Sequence, residues 1–267
     1  MKAFLLATFF LIITTCAPFK DSPFSDKVLS AERDLNILAQ KELQDVEGDG
    51  EIKIALFADS HGNHRDLDVV LYQINQTPDV DFVVNLGDFT DSAYNLEYDR
   101  FVDSQEVLLR PNFTVMGNHD ALGAGPIIFK KIFGPSNFWF ETASARFIFF
   151  HTSNLEDPEG FEPQWLLDAV ASSVKNVFIF SHTSLDDIER FPQELFRPVL
   201  QNPLVKMSIN GHKHVYDLQN SGGTIVLRAP RVQRLQWLVI RIVGSNLEIT
   251  RMPGGELISA TLKPQPL

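Results

Sequence analysis

Short apolar runs recur along the chain, separated by stretches whose apolar positions fall three and four apart. The run at 52–58 (IKIALFA) reads as a buried strand. Asn63 then caps a helix with Leu67, Val70, Leu71 and Ile74 on its apolar face. Runs at 82–86 (FVVNL) and 113–116 (FTVM) predict two further strands, with a helix through Phe101, Val102 and Leu108 between them. Residues 139–140 and 147–150 predict a hairpin, and Pro163 opens a helix through Trp165, Leu166, Ala169 and Val170. Strands follow at 177–180 (VFIF) and 205–209 (VKMSI). After Gly222-Gly223 the chain turns all-β, at 224–227, 235–243 and 247–251, with Gly244-Ser245-Asn246 turning between the last two. This alternation predicts an α/β fold with a mainly parallel sheet and antiparallel strands added at the end.

Polar blocks punctuate this pattern, most of them directly after an apolar run. They are Asp59-Ser60-His61, Gly87-Asp88, Gly117-Asn118-His119-Asp120, Ser181-His182 and Gly211-His212-Lys213-His214. They offer Asp, Asn and His side chains and no thiolate, a donor set for divalent metals bound through nitrogen and oxygen. In open α/β sheets ligands gather at the carboxyl ends of strands, so blocks far apart in sequence can converge on one crevice. Asp59 and His61 are two apart and share a direction if the backbone is extended, as do His212 and His214. A carboxylate with two oxygens suits a bridge between paired metals, and Asp88 is the candidate. Gly62, Gly87, Gly117 and Gly211 allow sharp bends nearby. His64 reads as a solvated residue of a first helical turn, His151 as a core or rim residue, and Arg65 as pocket or surface. Asp91 either steadies a ligand or marks a helix start.

The N-terminal residues carry a different pattern. Met1-Lys2 is a brief positive start, and 3–13 (AFLLATFFLII) has the length of a signal-peptide core rather than of a membrane span. Cys16 closes that stretch and resembles the lipidated cysteine of a bacterial lipobox, although Thr15 stands where that motif usually has Gly, Ala or Ser. The expectation is a signal peptide over 1–15, a lipid on Cys16 and a tether over 16–50 containing one helix near 30–43. The domain proper then spans 51–267. The product is an exported, membrane-anchored lipoprotein, periplasmic or at the cell surface. The alternatives are soluble export with cleavage after Ala17, and a core cysteine in a first strand.

At 267 residues the chain accommodates one sizeable α/β domain. A formal net charge of -11, from 34 acidic and 23 basic residues, disfavours binding to nucleic acid backbones. The single cysteine rules out a disulfide within the chain.

Taken in order and behind strands, the polar blocks resemble the full signature of calcineurin-like metallophosphoesterases over roughly 52–216. The resemblance implies a four-layer α-β-β-α sandwich of the metallo-dependent phosphatase type and two divalent ions (Mn, Fe, Zn or Mg). It implies that one ion takes Asp59, His61, Asp88 and His214. The other takes Asp88, Asn118, His182 and His212, with Asp88 and a hydroxide bridging. His119 then hydrogen-bonds the substrate or protonates the leaving group, with Asp120 orienting it. The implied activity is hydrolysis of a small phosphoester, mono- or diester, by hydroxide generated at neutral pH. The loops at 89–103, 121–137 and 154–162 are expected to set the substrate. Two alternatives are a catalytically silent scaffold, as in a retromer subunit on this fold, and a metal-dependent nuclease. Complete ligands argue against the first and the acidic balance against the second.

Overall fold

The computed structural model describes residues 25–264. Helix α1 (Leu35–Glu42) precedes β1 (Ile52–Phe57), α2 (His64–Gln76), β2 (Phe82–Asn85), α3 (Asn95–Gln105), β3 (Asn112–Thr114) and α4 (Gly125–Ile132). Then come β4 (Phe138–Glu141), β5 (Ala145–Phe150), α5 (Pro163–Ala171), β6 (Asn176–Ser181), α6 (Arg197–Gln201) and β7 (Val205–Asn210). The chain closes with β8 (Asp217–Ser221), β9 (Thr224–Arg228), β10 (Trp237–Val243), β11 (Asn246–Met252) and β12 (Glu256–Thr261).

The apolar runs are continuous because both faces of their strands are buried. From β1, Ile54 and Leu56 enter one core cluster while Ala55 and Phe57 enter another. The strands form two six-stranded sheets, ordered β12-β11-β10-β1-β2-β3 and β4-β5-β6-β7-β9-β8. β1, β2 and β3 are parallel to one another, as are β5, β6, β7 and β9. Between the sheets lies a phenylalanine-rich layer that includes Phe82, Phe113, Phe140, Phe147 and Phe149. The outer face of the first sheet is covered by Leu67, Leu71 and Ile74 of α2, Phe101 of α3, and Ile128 and Phe129 of α4. Leu166 and Val170 of α5 and Val199 of α6 cover the second. The expected α-β-β-α sandwich is therefore the observed one. Truncating Phe147 to alanine would cost about 3–5 kcal/mol, a large share of an ordinary domain's stability.

Several local expectations hold. Asn63 caps α2, its Oδ1 accepting from Asp66 N at 3.3 Å, and Pro163 opens α5. Others are corrected. The segment at 121–137 contains α4, whose opening Pro126 and apolar Ile128, Phe129 and Ile132 follow the helical pattern. β8 (DLQNS) escapes notice because it is a polar edge strand, and β12 (ELISAT) because it is an edge strand left largely exposed. Leu108 lies beyond the end of α3, and Leu235 lies in a 3₁₀ turn before β10.

Residues 25–49, read as part of a tether, lie against the sandwich. Asn36 of α1 donates to Thr114 O at 3.0 Å and accepts from Thr114 N at 2.8 Å, completing the ladder of edge strand β3 as a neighbouring strand would. Asp99 accepts from Leu29 N and Ser30 N, each at 2.9 Å. The expected signal peptide and Cys16 lie outside the described residues. Among the described residues no helix is long and apolar enough to cross a membrane.

Candidate metal centre

The polar blocks all emerge at the carboxyl edges of parallel strands, and the edges of both sheets meet there. Asp59 and His61 follow β1, Asp88 follows β2, Asn118 and His119 follow β3, His182 follows β6, and His212 and His214 follow β7. The two sheets are tied across this edge. His212 N donates to Asp59 Oδ1 at 3.1 Å, and His182 Nδ1 donates to Leu86 O at 2.8 Å.

The backbone reaches this arrangement through left-handed turns. Asp59, His61, Asp88, His212 and His214 have φ of 55°, 44°, 53°, 69° and 61°. The expectation that Asp59 and His61 converge as alternate residues of an extended segment is thus corrected, and His212 with His214 likewise. Asp and His are among the side chains that tolerate this region, and such residues cluster where function demands it. Gly87, at φ 94°, and Gly117 permit the closest approach. A Cβ on Gly117 would lie 2.2 Å from Asp88 Oδ1 and 2.4 Å from Asp88 N.

Two donor groups result, sharing Asp88. Asp59, His61, Asp88 and His214 present one ligand atom each within 4.8 Å of one another, as do Asp88, His182 and His212. In the first group, His61 Nε2 lies 3.2 Å from His214 Nε2 and 3.7 Å from Asp88 Oδ2, and His214 Nε2 lies 3.5 Å from Asp59 Oδ1. In the second, His182 Nε2 lies 3.1 Å from Asp88 Oδ2, and 3.2 Å from both Asn118 Oδ1 and His212 Nδ1. The sequence-derived ligand residues are therefore all brought together. Because Leu86 O holds a hydrogen of His182 on Nδ1, Nε2 is the nitrogen that faces the cluster, the orientation a metal-ligating imidazole needs. Ring nitrogens in close mutual contact, set among carboxylates and free of sulfur, fit hard-to-borderline divalent cations.

Burial shapes the charges here. It pushes the Asp59 carboxyl up to about 7, against the pull of His182. At His182 burial opposes the proton but Asp88 outweighs it, raising the ring to about 10, and Asp88 is correspondingly held well below the usual carboxylate range. Burial and the neighbouring His182 lower His212 to about 4.

His119 and Asp120 divide differently from the expectation. Asp120 is fully buried, and no hydrogen bond or ion pair joins its carboxylate to the His119 ring. Instead its Oδ2 accepts from Asp88 N at 2.7 Å and Gly117 N at 2.9 Å, and its Oδ1 from Thr90 N at 2.9 Å. It braces the turns that carry the ligands. His119 is oriented by the carbonyl of Asp91, 2.8 Å from Nδ1, and its ring sits 4.7 Å from that of His61. The Asp91 carboxylate also approaches His61 Nδ1 at 3.4 Å, so of its two readings the ligand-steadying one matches its contacts. His151 is buried with Nε2 3.3 Å from Asp157, and His64 begins α2 with Nδ1 3.2 Å from Ser104 Oγ.

A dimetal phosphatase of Danio rerio is similar in fold, with a TM-score of 0.66 at 15% identity over 78% of this chain and 98% of that one. So is GAP50, the anchor in the inner membrane complex of Plasmodium, with a TM-score of 0.61 at 16% identity over 81% of this chain and 90% of that one. Purple acid phosphatase PPD1 from yellow lupin (Lupinus luteus) seeds has a TM-score of 0.59 at 16% identity over 80% of this chain and 54% of its own. The chain thus spans about half the length of that enzyme. At such identities the likeness is one of fold. No protein of curated function matches the chain in sequence. Residues 52–216 match the calcineurin-like phosphoesterase family, and the chain belongs to it.

Proposed function

We propose that this protein hydrolyses phosphoester bonds of a small substrate with two divalent cations. Asp88 carries the reading, since its one carboxylate serves both donor groups. One cation would be held by Asp59, His61, Asp88 and His214, the other by Asp88, Asn118, His182 and His212. Such a pair, when bound, supplies water of lowered pKa and positive charge for the phosphoryl oxygens.

The protein's own residues supply position and a proton. Asp120 holds the Asp88 and Gly117 amides, so the shared carboxylate stays fixed during turnover. Leu86 O and the Asp91 carboxylate hold the far nitrogens of His182 and His61, which keeps their Nε2 atoms aimed inward. His119 keeps its hydrogen on Nδ1 against Asp91 O, so Nε2 is the atom that binds the ester and, when protonated, hands a proton to the departing oxygen.

The manganese-loaded protein is expected to hydrolyse p-nitrophenyl phosphate or its bis-ester, and Asp88→Asn to abolish the activity. Full activity in Asp88→Asn, or after rigorous chelation, would refute the proposal.

A further inference from the structure

A small cleft opens directly beside Asn118 and His212. It is lined by the turn after β5 and the loop after β6, with Ser153, Glu156, Asp187 and Glu189 among its walls. Its volume of about 70 Å³ is room for about five waters, or an organic group of similar size. Past Asp187 and Glu189 it widens towards Phe191 and Lys213.

Two independent features define what this cleft would accept. The first is charge. All three of its ionisable acidic walls are carboxylates, and no Lys or Arg lines it. The nearest cations of the wider groove are already paired: Lys213 Nζ lies 2.7 Å from Asp187 Oδ2, and Arg190 Nε 3.6 Å from Glu189 Oε1. Glu156 has no such partner among the described residues. The second feature is Ser153. It is 2% exposed, it lines the cleft, and its Oγ has no hydrogen-bond partner among the described residues. A buried hydroxyl left unpaired is costly, and a ligand that reaches it removes that cost.

We infer that this cleft holds the organic group of the phosphoester, and that this group carries hydrogen-bond donors, neutral or cationic, and no second anionic charge. The inference rests on the hydrolase reading above and sharpens it. A substituent with a hydroxyl or ammonium meets Ser153 Oγ and the Glu156 carboxylate. One bearing a further phosphate or carboxylate meets the unpaired Glu156 carboxylate at short range, where like charges repel most strongly. Esters of amino-alcohols and small polyols fit, and nucleoside polyphosphates do not. Of the segments expected to set the substrate, 154–162 contributes to these walls, and the loop at 183–193 joins it.

The test is competition by three phosphoesters of similar size: O-phosphoethanolamine, glycerol 3-phosphate and 3-phosphoglycerate. Each competes against whichever aryl ester, mono or bis, the manganese-loaded protein hydrolyses. O-Phosphoethanolamine is expected to compete about fivefold better than 3-phosphoglycerate, with glycerol 3-phosphate between them. Glu156→Gln should narrow that ratio and Glu156→Lys should reverse it, while Ser153→Ala weakens competition by glycerol 3-phosphate. Equal or absent competition, or a ratio unmoved by both Glu156 variants, overturns the inference and leaves the hydrolase reading standing. Failure of the wild-type protein to hydrolyse either aryl ester overturns the reading beneath it instead.

Discussion

The carbonyl oxygen of Asp91 lies 2.8 Å from His119 Nδ1. A carbonyl can only accept, so the hydrogen of a neutral His119 sits on Nδ1 and Nε2 faces outward for the ester. If Nε2 protonates the departing oxygen, its importance must depend on how badly that oxygen needs a proton. His119→Ala should therefore slow hydrolysis of phenyl phosphate by about 10²- to 10⁴-fold, and that of p-nitrophenyl phosphate by much less. Metal content should stay at the wild-type level. Equal losses on the two esters would remove the acid role from His119.

Asp120 is a brace and its loss should be read in stability. Removing the carboxylate leaves the amides of Asp88, Gly117 and Thr90 buried without an acceptor. Each such orphan costs about 1–3 kcal/mol, so Asp120→Ala should lose 3 kcal/mol or more by about the lower end of that range. Chemical denaturation checks this. A midpoint equal to wild type would contradict the bracing role.

At Gly117 the constraint is space. A methyl group there would meet Asp88 Oδ1 at 2.2 Å and Asp88 N at 2.4 Å, so it cannot be admitted without moving the shared carboxylate. Gly117→Ala is expected to destabilise the fold by about 1–3 kcal/mol and to cut metal uptake severely. Calorimetry with manganese measures both, and unchanged uptake would show that Asp88 tolerates displacement.

Away from the site, Asp81 predicts a pH dependence. Burial, with Asp49 and Glu51 nearby, pushes this carboxyl from 3.8 up to about 6. The folded protein then holds the proton more tightly than the unfolded chain, so stability falls as pH rises from about 4 to about 6 and the loss is complete above that window. Asp81 Oδ2 accepts from Lys53 N at 2.7 Å, a bond an asparagine can keep. Asp81→Asn should flatten the slope and be more stable than wild type at pH 7 by about 1 kcal/mol, after allowing for solvent screening of a half-exposed group. A slope unchanged in the variant would contradict this.

Much of this was legible in the sequence because buried parallel strands write themselves as continuous apolar runs, as at 52–58, and because metal-binding side chains follow them in order. Two kinds of feature were hidden. Edge strands such as β8 bury little, so composition gives them no signature. Conformation at the site was hidden as well: spacing alone suggested extended pairs at Asp59 and His61, whereas the left-handed turns at both residues are set by contacts with Gly87, Asp88 and His212 from distant blocks. The same holds for Asp120 and Asp91. The family resemblance implies that Asp120 orients His119, and only folding brings the Asp91 carbonyl to that ring instead.

The central claim is that one carboxylate, Asp88, is shared by two cations. Anomalous diffraction from crystals of the manganese-loaded protein measures this directly. The account predicts two peaks about 3.5–4 Å apart with Asp88 touching both. A single peak away from Asp88, or none at these histidines, would contradict it.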